Sequence, residues 1–149
     1  MKIEQSLQQA ITHHQMGRIE DAIKIYRNIL KIEPKHPAAN HHLGLLLIQE
    51  AQPSAALELF LTALESNPGQ GQFWLSYLEV LVEIGRYGTA QNLIEKVLHL
   101  GLRSSKIEAI SKEIKISREL VETLGNLVNN GQLSEALERG ADLCNQYPY

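Results

Sequence analysis

The stretch at 37–70, PAANHHLGLLLIQEAQPSAALELFLTALESNPGQ, decides the fold because its landmarks recur along the chain. Its small residue, Ala56, lies midway between two other alanines, Ala22 and Ala90, so the three are evenly spaced. The position four residues after each alanine carries a large apolar side chain, in Tyr26, Phe60 and Ile94. A constant spacing of about 34 residues, called the repeat interval below, indicates that copies of one supersecondary unit follow each other in the sequence.

Each unit reads as two helices. Apolar residues follow a helical period, and Gly or Pro stands where one helix gives way to the next. Pro34 and Pro68 end second helices, because proline disfavours helical geometry in the residue before it. Pro53 suits the first turn of its helix, where the missing N–H costs nothing. The predicted helices of the first three units lie at 7–15, 19–32, 39–49, 53–66, 72–84 and 87–100.

The regular interval breaks after residue 100. Ser105 and Glu108 form a candidate capping box for an extra helix. A fourth, divergent unit begins near Ser117, and we expect a helix break at that residue. In this unit Gly140 replaces the usual bulky residue of the second helix and weakens that helix. The alternative is one continuous helix, because one apolar seam crosses Ser117, formed by Ile107, Ile110, Ile114, Val121, Leu124 and Val128. The expected divisions are units at 3–36, 37–70 and 71–103, an inserted helix at 104–116 and a last unit at 117–149.

Length, composition and charge limit the classes of protein to which this chain can belong. With 149 residues, 44% hydrophobic and 21% charged, the chain has enough material for one compact domain or one short solenoid. Its longest apolar run, at 43–48, is far shorter than the roughly 20 residues of a membrane-spanning helix. The formal charge of −3 supplies no attraction to phosphate backbones. With a single cysteine and no signal peptide, we expect a cytoplasmic protein that binds neither membrane nor nucleic acid.

These landmarks resemble the tetratricopeptide repeat family, whose signature runs Trp, Leu-Gly, Tyr, Ala, Phe and Pro across a helix-turn-helix of this length. Its Leu-Gly pair corresponds to Leu43 and Gly44, and its Trp to Trp74. The resemblance covers nearly the whole chain apart from an insertion of about a dozen residues. It implies an all-α fold, a right-handed α-solenoid of stacked antiparallel helix pairs, with three regular units, an extra helix and a fourth divergent unit.

In this family the first helices of the units line a concave groove that holds peptides or partner helices. Glu79 and Glu83 stand four apart on one such helix and can pair with a cation on a bound segment. We therefore expect a non-catalytic protein–protein interaction scaffold that binds an apolar or amphipathic segment with a Lys or Arg near the third unit. The alternative is that the extra helix, or a second copy in a homo-oligomer, covers the groove. By resemblance the groove residues are Leu7, Ile11, His14, His41, His42, Leu45, Ile48, Leu75, Glu79, Val82 and Glu83.

One known function of the family does not fit this groove. Some tetratricopeptide domains grip the C-terminal carboxylates of heat-shock chaperones with a clamp of Lys and Asn. No cation remains here to hold a terminal carboxylate, since the corresponding positions carry Leu7, Ile11, His42, Gln72 and Ser76. The asparagine ladder of the O-GlcNAc transferases is also missing, since its positions carry Gln8, His42 and Ser76.

The sequence predicts neither a metal site nor a cofactor. Four histidines, His13, His14, His41 and His42, lack the i, i+4 spacing that places two imidazoles on one ion. His13 replaces a core aromatic residue and is expected to be packed. No phosphate-binding loop, nucleophile elbow or His-Glu-x-x-His motif occurs, so these residues are not expected to form an enzyme.

A second resemblance concerns the segment QFWLSY at 72–77 and the insertion after 101–102, which are similar to N-terminal repeat segments of large bacterial proteins. Those segments often precede transferase domains. The resemblance implies an alternative function, in which this bacterial chain is the substrate-recruiting arm of a larger transferase. An O-GlcNAc-transferase-like glycosyltransferase with its catalytic domain beyond Tyr149 is one example.

Overall fold

The computed structural model describes residues 2–99, 101 and 104–146. The described residues form helices and connecting turns and contain no strand, which confirms the all-α fold class. None of their helices is long and apolar enough to cross a membrane. The helices are α1 (Ile3–Gln15), α2 (Ile19–Ile32), α3 (Pro37–Gln49), α4 (Pro53–Ser66), α5 (Gly71–Glu83), α6 (Tyr87–His99), α7 (Ser105–Asn129) and α8 (Leu133–Gln146).

The first helices of the three regular units keep the repeat interval, since they begin at Ile3, Pro37 and Gly71. Each begins before its predicted start, because most residues of the added first turn are polar or small and so lack the apolar periodicity used for the prediction. At α3 the side chain of His36 caps the helix, accepting the backbone N–H of Ala39 at 3.2 Å. The predicted end of the sixth helix at residue 100 lies outside the described residues.

The turn within each unit requires one residue in the left-handed region. Gly17 and Gly85 supply it in the first and third units, with φ of 72° and 74°. The second unit has Ala51 at this place with φ of 55°, a conformation that costs a residue with a Cβ roughly 1–2 kcal/mol. Gly131, with φ of 75°, takes the same place between α7 and α8. The turn therefore marks all four helix pairs.

Helices pack against their neighbours in chain order, α1 on α2, α2 on α3, α3 on α4, α4 on α5 and α5 on α6. The repeated alanines, Ala22, Ala56 and Ala90, are all fully buried. A small side chain at this position allows the two helices of a pair to approach closely. The large residues four positions later, Tyr26, Phe60 and Ile94, are buried around them.

The predicted break near Ser117 is wrong, because α7 runs without interruption from Ser105 to Asn129. No Pro or Gly interrupts the segment around Ser117, so nothing ends the helix there. The predicted capping residue is also displaced by one position, since the hydroxyl of Ser104 accepts the backbone N–H of Ile107 at 3.2 Å. By its internal contacts the chain divides into two compact units, Met1–Ile107 and Glu108–Tyr149.

We predict that Gly44→Ala destabilises the first compact unit. An added Cβ at this position would lie 2.7 Å from Cε1 of Phe60, whose ring is buried and 5.6 Å from that of His41. Because the ring is packed on both sides, we expect a loss of about 1–3 kcal/mol in the free energy of unfolding, measured with urea. Gly88→Ala is the matched control, since a Cβ there meets nothing within 4 Å. Equal stability of the two variants would contradict the prediction.

Candidate binding groove

The eleven predicted groove residues differ in accessibility. Three of them, Leu7, His41 and Leu75, are buried and take part in packing. Two, Glu79 and Glu83, are exposed. The other six are partly buried, namely Ile11, His14, His42, Leu45, Ile48 and Val82. Eight of the eleven side chains are therefore accessible to a partner on the first helices α1, α3 and α5, the surface called the groove below.

His41 joins α3 to α5. Its Nε2 lies 3.0 Å from Oγ of Ser76, and its ring lies 4.8 Å from that of Phe73. The side-chain amide of Gln72 donates to the same hydroxyl at 3.5 Å. Burial, together with the neighbouring His42, lowers the pKa of His41 to about 4. The imidazole is therefore neutral at neutral pH, where it forms a hydrogen bond between two units.

His42 lies between two rings. It stacks on Tyr26 of α2, with centroids 5.8 Å apart and planes 13° apart, and meets His14 of α1 edge to face at 6.5 Å. Burial and the nearby His14 lower the pKa of His42. Burial also raises the pKa of Tyr26 to about 12, and its hydroxyl has no hydrogen-bond partner among the described residues. The imidazole cluster (His14, His41 and His42) is thus packed with aromatic rings, and the lowered pKa values of His41 and His42 keep those two side chains neutral at neutral pH.

Sequence reasoning placed the histidines in the groove but missed the neighbours that hold them. Tyr26 was identified only as a core position, and Ser76 only as a position that lacks asparagine. Part of the signal was present, because Ser76 lies one repeat interval after His42 and so occupies the same place in the next unit. The residue that contacts Ser76 is the neighbouring His41, which the repeat interval alone does not indicate.

The fixed charges of the groove are all negative. α1, α3 and α5 contain no Lys or Arg, and their only carboxylates are Glu4, Glu79 and Glu83. Three cations of the first unit lie on its second helix instead, at Lys24, Arg27 and Lys31, all exposed. Because the buried histidines are neutral, they do not offset the carboxylates. The groove is therefore an apolar surface with a negative edge at the third unit.

The start of α7 lies beside the groove at the third unit. A cavity of about 330 Å³ is lined by Gln72, Trp74, Leu75 and Ile107, and the last of these belongs to the extra helix. The indole N–H of Trp74 donates to the carbonyl of Pro68 at 2.7 Å and fixes one wall. Leu75 is therefore a packing residue next to the extra helix rather than an open binding position.

The histidines do not form a metal centre in the part of the chain that the structure describes, where no group of three or more His, Cys, Asp or Glu side chains is placed to hold an ion. His13, predicted to be packed, is partly buried. Its Nδ1 lies 3.9 Å from a carboxylate oxygen of Asp21 on α2.

We predict that His41 makes the protein less stable in mild acid. Its folded-state pKa lies below the unfolded value of 6.5, so its full contribution is present above pH 6.5 and is lost as the pH falls toward 4. Between about pH 7.5 and pH 5 we expect a loss of about 2 kcal/mol in the free energy of unfolding from this group. His41→Gln is the control, because glutamine can still bond to Ser76 but does not titrate. The same loss in wild type and variant, measured with urea at both pH values, would refute the assignment.

The sequence matches no curated protein. Residues 13–74 match the tetratricopeptide repeat family. Many solved structures share the fold, and one is the tetratricopeptide domain of P58(IPK), which is 16% identical with a TM-score of 0.85. That alignment covers 99% of this chain and 41% of that one, so the present chain spans less than half of that domain.

Two smaller domains align over more of their own length. The first tetratricopeptide domain of Spaghetti (RPAP3), bound to the HSP90 peptide SRMEEVD, is 14% identical with a TM-score of 0.70, covering 79% of this chain and 94% of that one. The Sgt2 domain from Aspergillus fumigatus is 16% identical with a TM-score of 0.69, covering 82% of each chain. Identities this low establish the fold alone. Together with the family match over residues 13–74, they show that this chain has a fold of the tetratricopeptide repeat type.

Proposed function

We propose that the chain is a non-catalytic scaffold that binds a protein segment in the groove of α1, α3 and α5. The observation that carries this proposal is the groove itself, a surface of accessible apolar side chains on the first helices. Support comes from the RPAP3 domain, which has the same fold and is bound to a peptide. A scaffold of this kind requires no catalytic group from these residues. We expect it to act in the cytoplasm.

The chemistry of the groove favours an apolar segment that carries a Lys or Arg. Leu45, Ile48 and Val82 are partly exposed and offer apolar contact. Glu79 and Glu83 are exposed, and neither is in an ion pair within the described part of the chain, so both are available to a cation on the partner. An acidic tail such as the HSP90 peptide would meet no fixed cation on the first helices. We infer that the partner class is amphipathic and basic.

The second function considered from the sequence, a recruiting arm of a bacterial transferase, stays a prediction. This function also requires the groove to bind a protein segment, because a recruiting arm captures its substrate in that way. The binding experiment below therefore applies to both.

The test uses two synthetic peptides with identical leucines at helical spacing, one with lysines and the other with glutamates at the intervening positions. We expect the lysine peptide to bind more tightly in fluorescence anisotropy, with an affinity that falls as salt is added. Leu45→Asp should weaken it at least about tenfold, since it places a charge in the apolar centre of the groove. Leu75 is unsuitable for this purpose, because a charge at a buried position tests folding instead.

The charge contribution is tested by the double variant Glu79→Gln and Glu83→Gln. We expect affinity for the lysine peptide to fall roughly threefold to tenfold, as for exposed ion pairs, and the salt dependence to become shallower. The matched control is Glu58→Gln with Glu65→Gln, which removes two exposed carboxylates from the second helix α4. Tighter binding of the glutamate peptide, or equal effects of the two double variants, would overturn the proposed partner chemistry. Unchanged binding by Leu45→Asp with an intact fold would overturn the groove as the binding surface.

A further inference from the structure

The cavity beside the start of α7 is apolar inside and opens to solvent. Its walls are formed by Trp74, Leu75 and Ile107, which are all buried. The other lining residues are exposed and form its mouth, namely Gly71, Gln72, Gly101 and Ser104. All of these residues lie within the first compact unit. The cavity is therefore accessible from outside, at the third-unit end of the groove.

The polar side chains around the cavity already have hydrogen-bond partners. The indole N–H of Trp74 donates to a backbone carbonyl, and the side-chain amide of Gln72 donates to a neighbouring hydroxyl. The hydroxyl of Ser104 accepts a backbone N–H of α7. A buried water needs about two to four polar partners, so a cavity whose polar groups are engaged favours an apolar occupant.

The volume of the cavity fits one large side chain. It is about 330 Å³. An engineered apolar cavity of roughly 150 Å³ is already large enough to bind benzene. The cavity therefore has room for a leucine or phenylalanine side chain, but not for a whole helix, which is about 10–12 Å wide.

The cavity lies in line with the carboxylates of the groove. One row of α5, at intervals of four residues, is formed by Gly71, Leu75, Glu79 and Glu83. Each interval spans about 6 Å, because a helix rises 1.5 Å per residue. Neither carboxylate is in an ion pair within the described residues. A side chain that enters the cavity beside Leu75 thus has a carboxylate about one helical turn away.

This arrangement belongs to the third unit alone among the regular units. Three of the lining residues come after α6, in the part of the chain where the repeat interval breaks. The place of Gly71 is taken by Ile3 and Pro37 in the other two units. One site of this kind fixes the register of a segment along the groove, because the segment has only one place for its largest apolar side chain.

We propose that this cavity is an anchor site, which takes one large apolar side chain of the segment bound in the groove while a Lys or Arg of that segment pairs with Glu79. The inference rests on the proposed function and adds a spacing to it, since the anchor and the cation lie about one helical turn apart. Charge complementarity identifies the occupant, because an apolar cavity beside two unpaired carboxylates matches an apolar group and a cation on one molecule. A free apolar compound would leave the carboxylates unpaired.

Trp74 is the only tryptophan of the chain, so its fluorescence reports on the cavity. In the lysine peptide described above, each leucine is replaced in turn by para-bromophenylalanine, whose bromine quenches tryptophan fluorescence on contact. We expect one position of the peptide to quench most of the Trp74 emission and the other positions to quench little of it. The peptide without bromine is the control, since it binds without a heavy atom.

Gly71→Leu narrows the mouth of the cavity from the same row of α5. An added Cβ at Gly71 meets nothing within 4 Å, and Gly71 is not among the glycines with positive φ, so we expect the variant to fold. Affinity for the lysine peptide should fall at least about tenfold, as for loss of a buried anchor, and the quenching should disappear. The matched control is Gly88→Leu, because Gly88 is likewise a glycine in the first turn of a helix with open space at its Cβ.

The outcomes separate the anchor site from the groove. Binding that Leu45→Asp weakens, but that quenches Trp74 at no peptide position, would overturn the anchor site and leave the groove as the binding surface. Equal affinities of Gly71→Leu and Gly88→Leu would do the same. Absence of binding by the lysine peptide, or binding that Leu45→Asp leaves unchanged, would overturn the proposed function and the anchor site with it.

Discussion

The close approach of two helices at a small residue is the constraint on which the first compact unit depends. The small residues Ala22, Ala56 and Ala90 are fully buried, and the ring of Phe60 lies directly against Gly44 where α3 meets α4. Interiors pack at crystal-like density, so this contact fixes the spacing of the two helices and leaves little tolerance for added volume. Repeating the contact once per unit places all the first helices on one side. The groove is a consequence of that repetition.

Much of this arrangement could be predicted from the sequence. The repeat interval predicted the helix pairs, and the left-handed turn was marked by glycine in two of the three regular units. The repeat interval reflects contacts that every unit must make. The residues that make these contacts therefore recur in each unit, and the recurrence is easy to detect in the sequence. Features that occur in only one place, such as the helix cap from Ser104 or the continuity of α7, do not recur in other units, so the repeat pattern could not predict them.

The sequence predicted a set of groove residues, but it did not predict how deeply each of them is buried. Helical spacing says which way a side chain points, but burial depends on how close the next helix lies. Leu7 and Leu75 are buried, whereas Leu45 is only partly covered. The neutral state of His41 follows from that depth, because desolvation penalises the charged imidazole and lowers its pKa. The sign of the fixed charge in the groove could be predicted from the sequence, because the first helices contain no Lys or Arg and this fact does not depend on how the helices pack.

The hydrogen bond between His41 and Ser76 has a structural role that an apolar contact would not have. An apolar contact has no preferred direction, whereas a buried hydrogen bond requires one arrangement of its two partners, and separating them would leave two polar groups without partners. The bond joins α3 to α5, so it fixes how the third unit sits on the second. Leu45 and Glu79, which the proposed partner would contact together, lie on these same two helices. A pair that adds little to affinity can therefore determine the geometry with which the groove presents its apolar and acidic parts to one segment.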